Sequence, residues 1–289
     1  MFFLLIACEV WYRMIIHINT QVKNEAILLE HVLPFWHEYP VDEFVFLNDN
    51  SNDDTVEVIE DFLGDEATIL PSVSEKFHES KIRSGMLNYS RSRGADVVIA
   101  IDADELLSQS FLNDFDLIMK HVLNYHLQFY WYNVVGSLDY IRQDPSYLNN
   151  YRDFIFPAKT SGGFDMSLGE YHLSGRVPDN ILPKGSPTND YGLIHLQALN
   201  TKFYALKQLW YKVFEYKEYA NSIEEINAKY DPVVNGLDFC EIDTPENIIG
   251  DWKFDASVFD KILEERKYID YIKEYGVDEL ITFGREFIK

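Results

Sequence analysis

The sequence predicts an α/β fold, a mostly parallel central sheet flanked by helices and followed by a helical C-terminal region. Three observations carry this expectation. From Met14 onward, short apolar runs alternate with longer segments of helical periodicity. One run, Asp96 to Ile101 (DVVIAI), is apolar almost without interruption, as in strands covered on both faces. Of the 289 residues, 47% are hydrophobic and 15% aromatic, which is enough to build a large core.

Residues 1–13 (MFFLLIACEVWYR) form an apolar stretch broken by Glu9. It is shorter than the roughly 20 residues of a membrane-spanning helix and lacks the basic start of a secretory signal. It reads as a loose N-terminal extension, with Met14 as an alternative beginning, and no integral membrane segment is expected. Met14 to Thr20 reads as the first strand. Val22, Ala26, Leu29, Leu33 and Trp36 then share one helical face, with a kink or restart expected near Leu33 because Pro34 lacks an amide hydrogen. Glu43 to Asn48 is the second strand, Val56 to Leu63 a helix, Ala67 to Leu70 the third strand, and Phe77 to Arg93 a helix closed by Gly94. Asp96 to Ile101 is the fourth strand, and Leu106 to Leu123 reads as helical. His126 to Val135 is β-like, residues 137–191 are Gly-, Pro- and Asn-rich with few clear elements, and Gly192 to Leu196 is a short strand. Leu199 to about Tyr230 is expected to be one long helix and Ala256 to Lys289 a helical tail. In that long helix, Lys207, Trp210, Tyr211 and Phe214 form a stripe at helical spacing that reads as core.

Charge narrows the function. With 48 Asp and Glu against 25 Lys and Arg, the net charge is −23, and such a chain is repelled by nucleic acid and by anionic membrane surfaces. Cys8 and Cys240 are too few and too far apart for a disulfide scaffold or a thiolate zinc site, so a reducing, cytoplasmic setting is expected.

Two acid-rich loops follow two apolar strands directly, Asn48-Asp49-Asn50-Ser51-Asn52-Asp53-Asp54-Thr55 after the second and Asp102-Ala103-Asp104-Glu105 after the fourth. If both strands are parallel, Asp49 and Asp53 emerge at the same sheet edge as Asp102 and Asp104. Ligands of open parallel sheets bind at that edge. An Asp-x-Asp pair there suits Mg²⁺ or Mn²⁺, whose remaining ligands are phosphate oxygens. The plainer reading, in which Ser51 and Asp54 are turn or helix-cap residues, stands beside it. A calcium loop starting at Asp49 is disfavoured, because Asp54 holds the position that needs glycine and a strand precedes the loop.

These residues carry a resemblance. LNDNSNDDT at 47–55 resembles the acidic loop with which family 2 glycosyltransferases bind nucleobase and ribose, and AIDADE at 100–105 resembles their Asp-x-Asp metal motif. The layout of residues 22–49 is also similar, so the resemblance covers about the first 110 residues. It implies a GT-A fold, with a catalytic domain over 14–197 and a helical C-terminal region over 198–289 packed on it. It implies a metal-dependent, hexosyltransferase-type enzyme, inverting in the family's usual manner, that uses a UDP- or GDP-sugar. The acceptor would be a hydroxyl of a glycan, a lipid-linked saccharide or a protein.

By motif match, Asp49 faces the base, with Ser51 and Asp53 on the same loop. Asn24 and Glu25 line the nucleotide site, and Asp102 and Asp104 bracket ribose and metal. Asn48, just before Asp49, departs from the commonest family pattern. His195 in YGLIHLQ is the expected third metal ligand, with His172 as its competitor. Lys81 and Arg83 match the region facing the phosphates, the plainer alternative being a solvated helix face. The base that deprotonates the acceptor is expected among Glu170, Asp165 and Asp179. Two other classes remain open. One is a haloacid-dehalogenase-like phosphatase, although Leu106 stands where Thr or Val is usual. The other is a non-catalytic acidic carbohydrate- or calcium-binding module.

Overall fold

The structure, a computed structural model, describes residues 13–74, 77–125, 127–142, 150–167, 175–179, 187–219, 221–234, 241–266, 268–281 and 288. The expected extension at residues 1–13 lies outside them except for Arg13, and so do Glu170 and His172.

The expected class is present: a mixed α/β protein with a parallel-dominated sheet flanked by helices. Strands β1 (Ile16–Val22), β2 (Glu43–Asn48), β3 (Ala67–Pro71) and β4 (Val97–Ala100) are connected by helices α1 (Ala26–Trp36), α2 (Thr55–Leu63) and α3 (Glu79–Ser92). They line up in the order β3-β2-β1-β4, all parallel, and β9 (Ile155–Pro157) closes the edge antiparallel to β4. Both faces are apolar, as the unbroken strand patterns require. Val97 and Ile99 point into the main core while Val98 and Ala100 pack with Leu87 and Phe156. Phe44 and Phe46 point one way while Val45 and Leu47 meet Ile82 and Met86 on the other.

A second sheet has the order β11-β7-β6-β10-β5, with β8 beside β6. Its strands are β5 (Glu105–Leu107), β6 (Phe129–Val135), β7 (Ser137–Arg142), β8 (Tyr151–Arg152), β10 (Thr188–His195) and β11 (Glu241–Asp243). Strands β6 and β10 are parallel, and β5 runs antiparallel to β10. The same hydrophobic core spans both sheets.

Several local expectations shift, each for a tertiary reason. Val22 belongs to β1, not to the helix, because it pairs with Asn48 across the sheet. Helix α1 runs through Pro34 as one element. Residues 106–123 are not one helix: Leu106 and Leu107 pair with Ile194 and Leu193, and Ser108 then caps α4 (Gln109–Asn113) by accepting from the Phe111 amide. Helix α5 (Phe115–Val122) follows. The stretch 137–191, read as largely irregular, contains β7, β8, β9 and the start of β10: β7 pairs with its sequence neighbour β6 and with β11, while β8 and β9 are held by β6 and β4.

The expected long helix is two, α6 (Thr201–Tyr219) and α7 (Ile223–Val234). Ser222 and Glu225 start the second by exchanging hydrogen bonds, Ser222 N to Glu225 Oε2 at 3.1 Å and Glu225 N to Ser222 Oγ at 3.2 Å. Helix α8 (Glu246–Ile249) precedes the expected tail, which among the described residues holds three short helices, α9 (Val258–Arg266), α10 (Tyr268–Tyr275) and α11 (Asp278–Ile281). Helices α6, α9 and α10 close on one another through Phe203, Trp210, Phe259 and Tyr268, with Phe203 and Phe259 ring centroids 4.8 Å apart. Among the described residues no helix is long and apolar enough to cross a membrane.

Trp36 ties the first sheet to the second. Its indole lies nearly parallel to Phe44 and Phe46, at 6.3 and 6.1 Å, and its Nε1 donates to the Glu105 carbonyl at 3.0 Å. Gly192 sets how closely β10 approaches β6: a Cβ there would lie 2.1 Å from the Tyr130 carbonyl oxygen and 2.8 Å from the Tyr132 ring. Gly192→Ala is therefore expected to cost about 3 kcal/mol of folding stability. An unchanged denaturant midpoint would show that the strands part without cost.

Candidate functional site

Strand β1 is flanked by β2 on one side and β4 on the other, so the connections leaving it and its neighbours diverge beside its carboxyl end. Three turns meet at that edge: Lys23-Asn24-Glu25 after β1, Asp49 to Asp54 after β2, and Asp102 to Asp104 after β4. The two acidic loops thus lie at one edge, as expected from parallel strands.

The first two turns are laced together. Asn24 takes a left-handed backbone with φ of 55°, which asparagine tolerates, and turns the chain from β1 into α1. Its amide donates to Ser51 Oγ at 3.0 Å, and its side-chain oxygen accepts from the Asn52 amide at 2.8 Å. The free amides at the start of α1 are satisfied by the neighbouring loop, Glu25 N donating to Thr55 Oγ1 at 2.9 Å and Ala26 N to Asp53 Oδ2 at 3.2 Å. Ser51 and Asp53 therefore serve as scaffolding, while Asp54 makes no side-chain cap.

Asp49 is different. It is 2% exposed, and its Oδ1 accepts from Ser72 Oγ at 3.1 Å. Its buried Oδ2 has no hydrogen-bond partner among the described residues, with Lys23 Nζ 3.6 Å away. Such an oxygen keeps acceptor capacity that no N–H or O–H of the described residues uses.

The third turn is organised by Glu105, a residue the sequence reading did not single out. Its side chain is fully buried. Oε1 accepts from Trp131 Nε1 at 2.7 Å and Arg176 Nη2 at 2.9 Å; Oε2 accepts from Arg176 Nη1 at 2.6 Å and the Asp102 amide at 2.9 Å. Arg176 also donates from Nη2 to Asp102 Oδ2 at 2.6 Å. Burial by itself would lower the Arg176 pKa, but Asp102 and Glu105 outweigh it and hold the guanidinium firmly charged.

Asp104 sits deeper than Asp102, at 15% against 45% side-chain exposure, and faces His195 Nε2 and Lys207 Nζ, each 3.5 Å from Oδ2. Burial alone would raise its carboxyl; His195, Lys207 and Arg176 overcome that and hold it well below the usual carboxylate range. His195 is fixed by Asn133 Oδ1, 2.7 Å from Nδ1, and by the Trp131 ring stacked 4.3 Å away. The structure thus brings His195 to Asp104.

The C-terminal helices supply the remaining charge. Arg266 on α9 pairs with Glu25 at 2.6 Å and donates to the Asn24 carbonyl and, at 3.0 Å, to Tyr268 Oη. Desolvation raises the Glu25 carboxyl, with Arg266 and Lys207 offsetting part of the effect. Beside this pair, a cavity of about 500 Å³ is lined by Lys23, Asn24, Asp53, Trp210, Arg266 and Tyr268 among others.

Arg83 is committed to Glu79 within α3, and Lys81 is exposed. Asp165 is exposed and accepts from Ser167 N and Oγ at 2.9 and 2.6 Å, which lowers its pKa. Asp179 is exposed, its amide donating to the Gly163 carbonyl at 2.9 Å.

Of the residues the sequence did not mark, Arg176 left one signal. Positive charge is scarce in this chain, and Arg176 stands beside Val177 and Pro178 in a stretch with few other cations. Lys207 was masked by the aromatic stripe around it, and Glu105 by the two aspartates before it.

Among the described residues, no three His, Cys, Asp or Glu side chains are grouped so as to hold a metal ion. Asp104 and His195 converge, but Asp102 is held by Arg176. Two carboxylates and an imidazole are donor types that suit Mn²⁺ or Mg²⁺, though as arranged they do not form a three-donor group.

No family model matches this chain, and no curated protein matches it in sequence. Solved structures similar to it include S. aureus TarS, at 13% identity and a TM-score of 0.47 over 68% of this chain and 40% of that one. Residues 1–349 of TarS in complex with UDP-GlcNAc match at 13% identity and a TM-score of 0.41, over 68% of this chain and 67% of that one. Glucosyl-3-phosphoglycerate synthase from Mycobacterium tuberculosis, in complex with Mn²⁺, UDP and glucosyl-3-phosphoglycerate, matches at 18% identity and a TM-score of 0.31. That match covers 43% of this chain and 45% of the synthase. The chain thus spans 40% of the length of the first of these proteins. All three are distant enough that the functional reading rests on the site residues.

Removing the Glu105 carboxylate leaves the Arg176 guanidinium and the Trp131 N–H without their shared acceptor. Glu105→Ala is expected to destabilise the fold by about 3–5 kcal/mol. Urea unfolding checks this, and a loss under about 1 kcal/mol would show that the network carries no structural weight.

Proposed function

We propose that the protein is a GT-A-type glycosyltransferase that moves a sugar from a nucleotide-sugar donor to a hydroxyl acceptor. The observation that supports this reading best is the meeting of Asn24 and Glu25, Asp49, and Asp102 and Asp104 at the edge where strand order reverses between β1 and β4. The resemblance of the 47–55 and 100–105 motifs to family 2 enzymes is independent of that geometry and agrees with it.

In this reading the open Oδ2 of Asp49 accepts an N–H of the base, and its burial makes the unpartnered state costly enough to favour a ligand that pairs it. Glu25 and Asn24 border the ribose. Lys207 and Arg176 stand on the side where the diphosphate develops charge as the glycosidic bond breaks. The acceptor hydroxyl attacks the anomeric carbon, the bond to the diphosphate oxygen breaks, and the nucleoside diphosphate departs. The hydroxyl proton passes to a carboxylate of the 165–179 segment, with inversion at the sugar.

Asp102, Asp104 and His195 would hold Mn²⁺ or Mg²⁺, which would supply Lewis-acid neutralisation of the departing diphosphate. Asp104 stays ionised throughout the neutral range, since its pKa is held below the ordinary value. Domain boundaries near residue 198 and a catalytic unit over 14–197 are part of the same proposal.

Calorimetry with UDP- and GDP-sugars, with Mn²⁺ and with EDTA, tests the reading. Binding to one of them is expected in Mn²⁺. Asp104→Asn is expected to lower transfer or donor hydrolysis about 10²- to 10³-fold with the fold intact. Failure of every such donor to bind in Mn²⁺ would overturn it.

A further inference from the structure

The unexpected feature of the site is that its outer metal-type carboxylate is already occupied. Arg176 spans Asp102 and Glu105 with three contacts of 2.6 to 2.9 Å, a fork geometry that matches two carboxylates at once. Its side chain is only 13% exposed, whereas Asp102 is 45% exposed and reachable from solvent. The two halves of the clamp are therefore unequal. The Glu105 half is buried and reinforced by Trp131; the Asp102 half opens outward.

Charge makes the same point. Among the described residues, the four carboxylates Glu25, Asp102, Asp104 and Glu105 pair with three permanent cations, Arg176, Lys207 and Arg266, an excess of one negative charge before His195 is counted. A diphosphate brought into that excess is repelled unless a further cation arrives with it.

We propose that Arg176 is an exchangeable counter-ion: it neutralises Asp102 while no donor is bound and competes with a divalent cation for that carboxylate. On donor binding, Arg176 keeps its hold on Glu105 and turns its Asp102-facing N–H to the diphosphate, which frees Asp102. Cation and donor therefore bind with positive coupling, each favouring the other, because each removes the contact that opposes its partner. The competition with metal stands on the geometry of Arg176; its link to the diphosphate rests on the glycosyltransferase reading.

The test is calorimetric titration of Mn²⁺ alone, and then with UDP present, into the wild type, Arg176→Gln and Arg176→Lys. Thermal melting confirms that each protein is folded. Arg176→Gln is expected to bind Mn²⁺ alone at least tenfold more tightly than the wild type, and UDP is expected to tighten Mn²⁺ binding by a larger factor in the wild type than in that variant. If the glutamine variant does not fold, the lysine variant serves. It keeps the charge but loses the fork, and about a threefold gain in Mn²⁺ affinity is expected.

Equal Mn²⁺ affinity in wild type and folded variant overturns the inference, even if UDP binds, and leaves the donor reading standing. Absence of Mn²⁺ binding in all three also overturns it. A tighter variant with no response to UDP or GDP in any protein supports the competition while removing the nucleotide reading.

Discussion

The buried carboxylate of Glu105 is the constraint around which the site is built. An ionised side chain with no solvent exposure is tolerable only when fully hydrogen-bonded. Here the carboxylate's partners come from three places, the preceding turn through the Asp102 amide, β6 through Trp131 and the 175–179 segment through Arg176, while Trp36 of α1 binds the backbone carbonyl of the same residue. Satisfying this one charge fixes the two sheets against each other. It also sets the path of the Asp102-Ala103-Asp104 turn, so the same interaction stabilises the fold and aims the aspartates.

Around that centre, charge is arranged in layers. Asp104 is matched by Lys207 and His195 from the C-terminal half, and Glu25 by Arg266 from the last third of the chain. The C-terminal helices do more than cover the core, since they bring cations to an edge whose own loops are strongly acidic. The β1 and β2 turns reach order by another route, in which side chains of one loop satisfy the helix-start amides of the other. Asp49 is left out of these exchanges with an open acceptor, which marks it as the member of its loop fitted for a ligand.

The parallel strands and the two acidic loops were legible in the sequence because their signals are local. Unbroken apolar runs such as FVFL and DVVIAI declare strands buried on both faces, and an acidic run directly after a strand falls at the sheet edge by chain continuity. Glu105, Arg176 and Lys207 were not legible in this way. Leu106 and Leu107 look helical until β10 pairs with them, and a lysine in an aromatic stripe looks like core until Asp104 is found opposite it.

The sequence by itself determined the class of fold, the order of its first four strands and the presence of two acidic turns beyond strand ends, since all three follow from periodicity and adjacency along the chain. Only the tertiary structure decided which cations answer those acids, that Ser51 and Asp53 brace the turn while Asp49 stays open, and that Arg176 holds Asp102. These outcomes depend on contacts between segments about 27 to more than 100 residues apart, whose meeting is fixed by packing and by the need to neutralise buried charge.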